Sequence, residues 1–113
     1  MRNLNSIQIF AWMVFFLTTV YGHVAMKLAA MESTKLTKVL MSPWTISAII
    51  AWVFSSLLWL VILTKQPLLE SNAISSIRYI LISLSAVIFL SETLSAQQVL
   101  GAGLILIGVY LTI

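Results

Sequence analysis

One arginine lies within a polar face of an otherwise apolar segment, residues 72–90. Arg78 follows Asn72 by six residues, which is about 9 Å along a helix that rises ~1.5 Å per residue. Polar side chains recur around it at helical spacing: Asn72, Ser75, Ser76, Tyr79 and Ser83 on one face, and Ser71, Ser75, Arg78 and Ser85 on the adjoining one. A planar guanidinium suits phosphate or carboxylate, so an anion is one candidate partner for Arg78.

Two interpretations of Arg78 remain open. An arginine at the centre of a bilayer costs about 2.5 to 3.5 kcal/mol, and less near the edge, where its long stem reaches water. Arg78 either anchors the end of its helix in this way or faces an interior cavity. In the cavity it would meet a protein carboxylate or an anionic substrate.

Other candidate polar groups lie in the first two apolar segments. Thr19 and His23 share a helix face because they are four residues apart. His23 is interpreted as a hydrogen-bond partner of a neighbouring helix, with a proton-sensitive or substrate-contacting group as the alternative. A line of Trp52, Ser55, Ser56 and Trp59 is interpreted as helix packing rather than as a substrate wall. The candidate substrate-binding residues are Thr19, His23, Ser75, Arg78 and Tyr79.

The composition places these residues in a membrane. The chain has 113 residues, of which 61% are hydrophobic and only 8% charged, and its mean hydropathy is +1.09. Four apolar segments, 7–26, 44–64, 72–90 and 96–113, are each close to the roughly 20 residues that span a bilayer. They predict an all-α, integral membrane bundle of four transmembrane helices in a single domain, 1–113. Ser42 with Pro43, and Ser95, are predicted to begin the second and fourth helices.

The residue types argue against several other functions. The chain has no cysteine and one histidine, which excludes thiolate metal sites and makes an ordinary zinc site implausible. Glu32, Glu70 and Glu92 lie in connections or at segment ends, and no G-x-S-x-G motif accompanies the serines. The six basic residues are scattered, which gives no support to nucleic-acid binding. We therefore expect no enzyme, no metal or cofactor, and no nucleic-acid partner.

The basic residues do not decide how the chain is oriented in the membrane. Arg2 and Lys65 lie on one side, joined by Arg78 if it extends that way, and Lys27, Lys35 and Lys38 lie on the other. Two arrangements therefore remain open. The chain inserts in both orientations and pairs antiparallel, or it has a weak preference for one orientation beside a fixed partner.

Glycines mark one face of the fourth segment. Gly101 and Gly108 are one heptad apart, and such glycines let two helix backbones approach closely in a membrane. With Leu104 and Ile105 they are interpreted as a contact surface between helices rather than as a site.

Several motifs resemble those of known transporters. Residues 91–98, SETLSAQQ, followed by the glycine face, resemble the end of an EamA-type unit of the drug/metabolite transporter superfamily. Residues 59–63 with Pro67, Ala73 and Ile74 are similar to the turn between the second and third spans of small multidrug resistance transporters. They are also similar to that turn in the four-helix flippase subunits that move aminoarabinose-phosphoundecaprenol. Gly22 and Lys27 keep the G-x-x-x-x-K spacing found there.

This resemblance implies half of a transporter. Two four-helix units, as a homodimer or a heterodimer of paralogues, would surround a shared cavity and work by alternating access. It implies pairing through Gly101, Leu104, Ile105 and Gly108, and a multi-pass protein of the bacterial inner membrane.

One departure from the exporters bears on the substrate. Their first span carries a glutamate that binds protons and cationic drugs, and its place here is taken by Thr19. The candidate cavity residues are neutral or positive, so we expect a small or lipid-linked anionic substrate. Two alternatives remain: a non-transporting accessory subunit of a larger membrane complex, where Arg78 meets a partner's carboxylate, and a small multidrug exporter with altered coupling.

Overall fold

The computed structural model describes residues 5–113 and is all-α over that range; Arg2 lies outside it. The helices are α1 Ser6–Ala30, α2 Leu36–Leu40, α3 Pro43–Leu63, α4 Leu68–Ser75, α5 Arg78–Phe89 and α6 Ala96–Thr112. α1, α3 and the stretch Leu68–Phe89 are long and apolar enough to cross a membrane, whereas α6 is shorter, with 17 residues. The chain is an integral membrane protein.

Two helix starts follow the predicted capping chemistry. Ser42 Oγ accepts a hydrogen bond from the Trp44 N–H at 3.2 Å, with Pro43 at the first helical position of α3. At α6, Ser95 Oγ accepts from the Gln98 N–H at 3.1 Å while Gln98 Oε1 accepts from the Ser95 N–H at 2.8 Å. This reciprocal pair is a capping box. Both predicted helix starts are confirmed.

The first helix and the connection after it differ from the predicted bounds. α1 continues to Ala30, one turn beyond the predicted end of the first span at residue 26. The continuation has a local cause, because Lys27 and the Leu-Ala-Ala that follows are good helix formers. The connection between the first two predicted segments also contains α2, and Ser42 Oγ donates to Glu32 Oε1 at 3.2 Å across that connection.

The third span begins at Leu68, earlier than the predicted residue 72, and is interrupted near its middle. Ser76 and Ile77 have φ and ψ of −62°, −18° and −60°, −26°, the values of a 3₁₀ turn. Their N–H groups donate to carbonyls three residues back, each at 3.1 Å. In a regular α-helix the Ser76 N–H would donate to Asn72 O, but here it donates to Ala73 O. Asn72 O instead accepts hydrogen bonds from the hydroxyls of Ser75, at 2.7 Å, and Ser76, at 3.2 Å. These serine bonds stabilise the break between α4 and α5.

α1 is the central helix of the packing. It packs most extensively against α3 and also against α5, while α4 packs against α6 and α3. The buried core consists of Ala11, Trp12, Phe15, Ile62, Ile74 and Val109. The turn between α3 and α4 is fixed to this core, because Trp12 Nε1 donates to the buried Gln66 Oε1 at 2.8 Å.

The glycine face of α6 is open in the isolated chain. A Cβ atom added at Gly101 or Gly108 would have no neighbour within 4 Å, and Leu104 is exposed. Ile105 differs from these residues, since it packs against the core beside Val109. Of the predicted contact surface, Gly101, Leu104 and Gly108 are thus open, and Ile105 packs inside its own chain.

The residue after α5 has a backbone conformation that favours glycine. Ser91 has φ 55°, where a Cβ atom crowds the backbone. We expect Ser91→Gly to raise the free energy of unfolding by about 0.5 to 1 kcal/mol in detergent micelles, measured by denaturant titration. Ser91→Ala, which keeps the Cβ atom, is the control without a gain. A less stable Ser91→Gly protein would contradict the strain at this position.

Candidate functional site

A cavity of about 480 Å³ lies between α1, α3 and the α4–α5 stretch. Three aromatic and six polar or charged side chains line it: Phe15, Trp52 and Trp59, with Thr19, His23, Ser55, Ser56, Asn72 and Arg78. Its volume is that of a small-molecule site, typically ~300 to 1,000 Å³. None of the nine lining side chains is a carboxylate.

One wall of this cavity depends on a glycine. The Trp52 indole lies directly on Gly22 of α1, where an added Cβ atom would come within 2.1 Å of Trp52 Nε1. In that position Trp52 Nε1 donates to Thr19 O at 3.4 Å, and the ring meets the edge of His23 at a centroid distance of 5.1 Å. Gly22 therefore allows the close approach that places Trp52 and His23 side by side.

Hydroxyl groups join α1 to α3 beside Trp52. Thr19 and Ser55 are both buried, and Thr19 Oγ1 donates to Ser55 Oγ at 3.2 Å. The Thr18 hydroxyl shares a hydrogen bond with the same Ser55 Oγ. Thr19, a neutral residue, is thus already paired across the interface between α1 and α3.

Aromatic rings form another part of the wall. Phe15 and Trp59 stack with centroids 5.4 Å apart and planes at 29°. Trp12 meets Trp59 edge-on at 6.1 Å and 81°, and its own N–H is held by Gln66. Such contacts restrict rotation of the two lining rings.

Arg78 enters the cavity from the middle of the third span. It is the eleventh of the 22 residues in Leu68–Phe89, about 15 Å from the start of that stretch at ~1.5 Å per residue. This is deeper than the 9 Å expected from sequence, because α4 begins at Leu68 rather than at Asn72. Arg78 directly follows the break and is the first residue of α5.

The structure brings together three of the five predicted substrate-binding residues. Thr19, His23 and Arg78 line the cavity. Ser75 is buried, and its hydroxyl donates to the backbone at Asn72 O. Tyr79 lines a separate cavity of about 170 Å³ with residues of the α5–α6 connection.

Six further lining residues were not among the predicted site residues: Phe15, Trp52, Ser55, Ser56, Trp59 and Asn72. Four of them form the line on α3 that was interpreted as helix packing. Their i, i+3, i+4, i+7 spacing was the available signal, and Trp52 and Ser55 in fact serve both packing and the cavity wall.

Comparison with known proteins supports the resemblance read from sequence. The chain is 36% identical over 72 residues to the probable 4-amino-4-deoxy-L-arabinose-phosphoundecaprenol flippase subunit ArnE of Aeromonas salmonicida (strain A449). It is 33% identical, also over 72 residues, to the protein of the same name from Aeromonas hydrophila subsp. hydrophila. The chain is similar to these flippase subunits. The predicted resemblance to the flippase subunits is thereby confirmed.

The similarity covers part of each protein. Each match includes 64% of this chain and 63% of the ArnE relative. No protein-family model matches the chain, and no solved structure matches it significantly.

Proposed function

We propose that this chain is a subunit of a membrane transporter of the flippase type, and that it moves a lipid-linked, anionic organic molecule by alternating access. The observation that carries the proposal is the position of Arg78. It lines a polar and aromatic cavity and lies at the midpoint of an apolar span.

The chemistry of the cavity supports an anionic group as cargo. An arginine at this depth is costly unless it has an anionic partner, and none of the residues lining the cavity supplies one. A phosphate would accept paired N–H bonds from the guanidinium. The Asn72 amide offers further polar contacts to the attached organic group, and Ser56 Oγ, which donates to Trp52 O, can still accept a hydrogen bond. The ArnE relatives are named for a substrate that contains such a phosphate.

Transport rather than catalysis fits these residues. Intramembrane polar groups that line a cavity are typical of substrate pathways, and the serines and threonines are occupied by bonds within or between helices. We therefore propose no bond-breaking step in this cavity.

The open face of α6 supports assembly from more than one subunit. Gly101 and Gly108 leave room for another helix backbone. The proposed unit is a homodimer or a heterodimer with a paralogue. The ArnE relatives are themselves named as subunits.

Native mass spectrometry tests both the cargo and the assembly. The protein is extracted gently from its own membrane, and wild type is compared with Gly108→Leu. We expect a dimer that retains an anionic lipid, and we expect Gly108→Leu to reduce the dimer fraction at least about tenfold by blocking close approach. Gly103→Leu is the matched control, since its Cβ position is also open but lies off that face.

Three outcomes would contradict the proposal. One copy of the chain in a larger assembly of unrelated subunits, without a small ligand, would indicate the accessory role. A retained cationic compound, together with survival of cells under cationic toxicants, would indicate a multidrug exporter. A monomer without ligand would contradict both the cargo and the pairing.

A further inference from the structure

A second, apolar cavity lies between α1 and α5. This groove has a volume of about 430 Å³. Its walls are mainly bulky apolar side chains, among them Phe16, Val20 and Val24 of α1 and Leu81, Leu84 and Ile88 of α5. Such walls offer a hydrocarbon extensive contact and little competition from polar groups.

The groove and the polar cavity are neighbours on both helices. On α1, Thr19 and His23 line the cavity, and the next residues in the chain, Val20 and Val24, line the groove. On α5, Arg78 lines the cavity and Leu81, about one helical turn later, lines the groove. A single elongated molecule can therefore contact both.

We propose that the groove binds the hydrocarbon chain of the lipid whose phosphate is held by Arg78. This inference rests on the proposed function, and it adds a site for the chain to the site for the head group. The substrate is then recognised in two parts, a charged part between α1, α3 and α5 and an apolar part between α1 and α5.

The groove suits a lipid chain better than another helix. Helices associate in membranes through small residues that let their backbones approach. This chain has such a surface on α6, at Gly101 and Gly108. The groove has the opposite composition, since Phe, Leu, Ile and Val side chains dominate its walls. A thin, flexible chain follows such a surface. Arg78, in the neighbouring polar cavity, complements the charge of a lipid phosphate.

The test measures binding of two probes that share a phosphate and differ in chain length. Undecaprenyl phosphate and geranyl phosphate are titrated against the purified full chain in detergent micelles, with bound lipid counted by native mass spectrometry. Leu84→Trp fills the groove from α5, and Val20→Phe fills it from α1. Leu100→Trp is the matched control, because Leu100 is an exposed leucine of α6 outside the groove.

We expect both groove variants to weaken undecaprenyl phosphate binding by about tenfold or more, the equivalent of a few lost methylene contacts. Geranyl phosphate should bind all three variants within about twofold of wild type. Phosphatidylethanolamine, which reports ordinary annular lipid, should also be unaffected.

Different results would overturn different claims. If wild type binds both phosphates but the groove variants leave undecaprenyl phosphate unchanged, the groove inference is wrong and the proposed function stands. If the groove variants lose phosphatidylethanolamine as strongly as undecaprenyl phosphate, the groove holds annular lipid only. If the number of subunits changes in the groove variants, the groove is a protein interface. If wild type binds neither phosphate, the proposed anionic lipid cargo is itself wrong.

Discussion

Replacing Arg78 with alanine is expected to weaken binding of undecaprenyl phosphate about 10- to 100-fold. The estimate corresponds to hydrogen bonds to a charged group, typically worth about 1.5 to 3 kcal/mol. The loss should affect long and short lipid phosphates alike, because Arg78 lines the polar cavity and not the groove. Titration followed by native mass spectrometry measures the change.

Two further variants separate charge from geometry at this position. Arg78→Lys keeps the charge but loses the planar fork, so its affinity should fall between those of wild type and Arg78→Ala. Lys65→Ala removes a cation from the turn after α3, outside the cavity, and should bind as wild type does. Unchanged affinity in Arg78→Ala would show that the arginine only anchors its helix.

Placing a methyl group at Gly22 is expected to disrupt the cavity and destabilise the protein. The new Cβ atom would lie 2.1 Å from Trp52 Nε1, so the indole must leave α1 and lose its contact with Thr19 O. Overpacking of this kind costs about 1 to 3 kcal/mol. Gly22→Ala should therefore unfold earlier in denaturant and bind lipid phosphate poorly.

Gly103→Ala provides the control for the glycine change itself. Its Cβ atom would have no neighbour within 4 Å, and alanine favours a helix over glycine by about 1 kcal/mol. We expect this variant to be at least as stable as wild type. The double variant Gly22→Ala with Trp52→Ala should regain part of the lost stability, because the indole that clashes with the new methyl group is gone. If it does not, the clash with Trp52 is not the cause of the instability.

The helices could be predicted largely because their signals are local. The length of each apolar segment predicted a transmembrane helix. Two helix starts were predicted from Ser42 with Pro43 and from Ser95, because a capping serine bonds to a backbone N–H within the first turn. The break at Ser76 and Ile77 had no such signal. Serine is tolerated in a helix, and whether its hydroxyl bonds to a backbone carbonyl depends on the surroundings.

That break also turns Arg78 toward the face of Asn72. Each residue advances the chain by about 120° around the axis of a 3₁₀-helix and by about 100° around that of an α-helix. Ser76 and Ile77 therefore each rotate α5 roughly 20° further relative to α4. A regular helix puts Asn72 on the face of Tyr79 and away from Arg78. In the structure, Asn72 and Arg78 line one cavity and Tyr79 lines another.

The wall on α3 could not be assigned from spacing for a different reason. Periodicity shows that Trp52 and Ser55 share a face, but it does not show what that face meets. The answer depends on Gly22, thirty residues earlier in the chain than Trp52, and on how closely α1 approaches α3. Only the fold supplies that contact.

The interruption of the third span has a mechanical consequence. α4 packs on α6, the helix with the open face, whereas α5 packs on the central α1. Asn72 and Arg78 therefore lie on two helices that pack against different neighbours and meet at the break at Ser76 and Ile77. In the proposed assembly, a shift of α6 against a second subunit should therefore move α4 more than α5, and so change the spacing of Asn72 and Arg78 across the cavity.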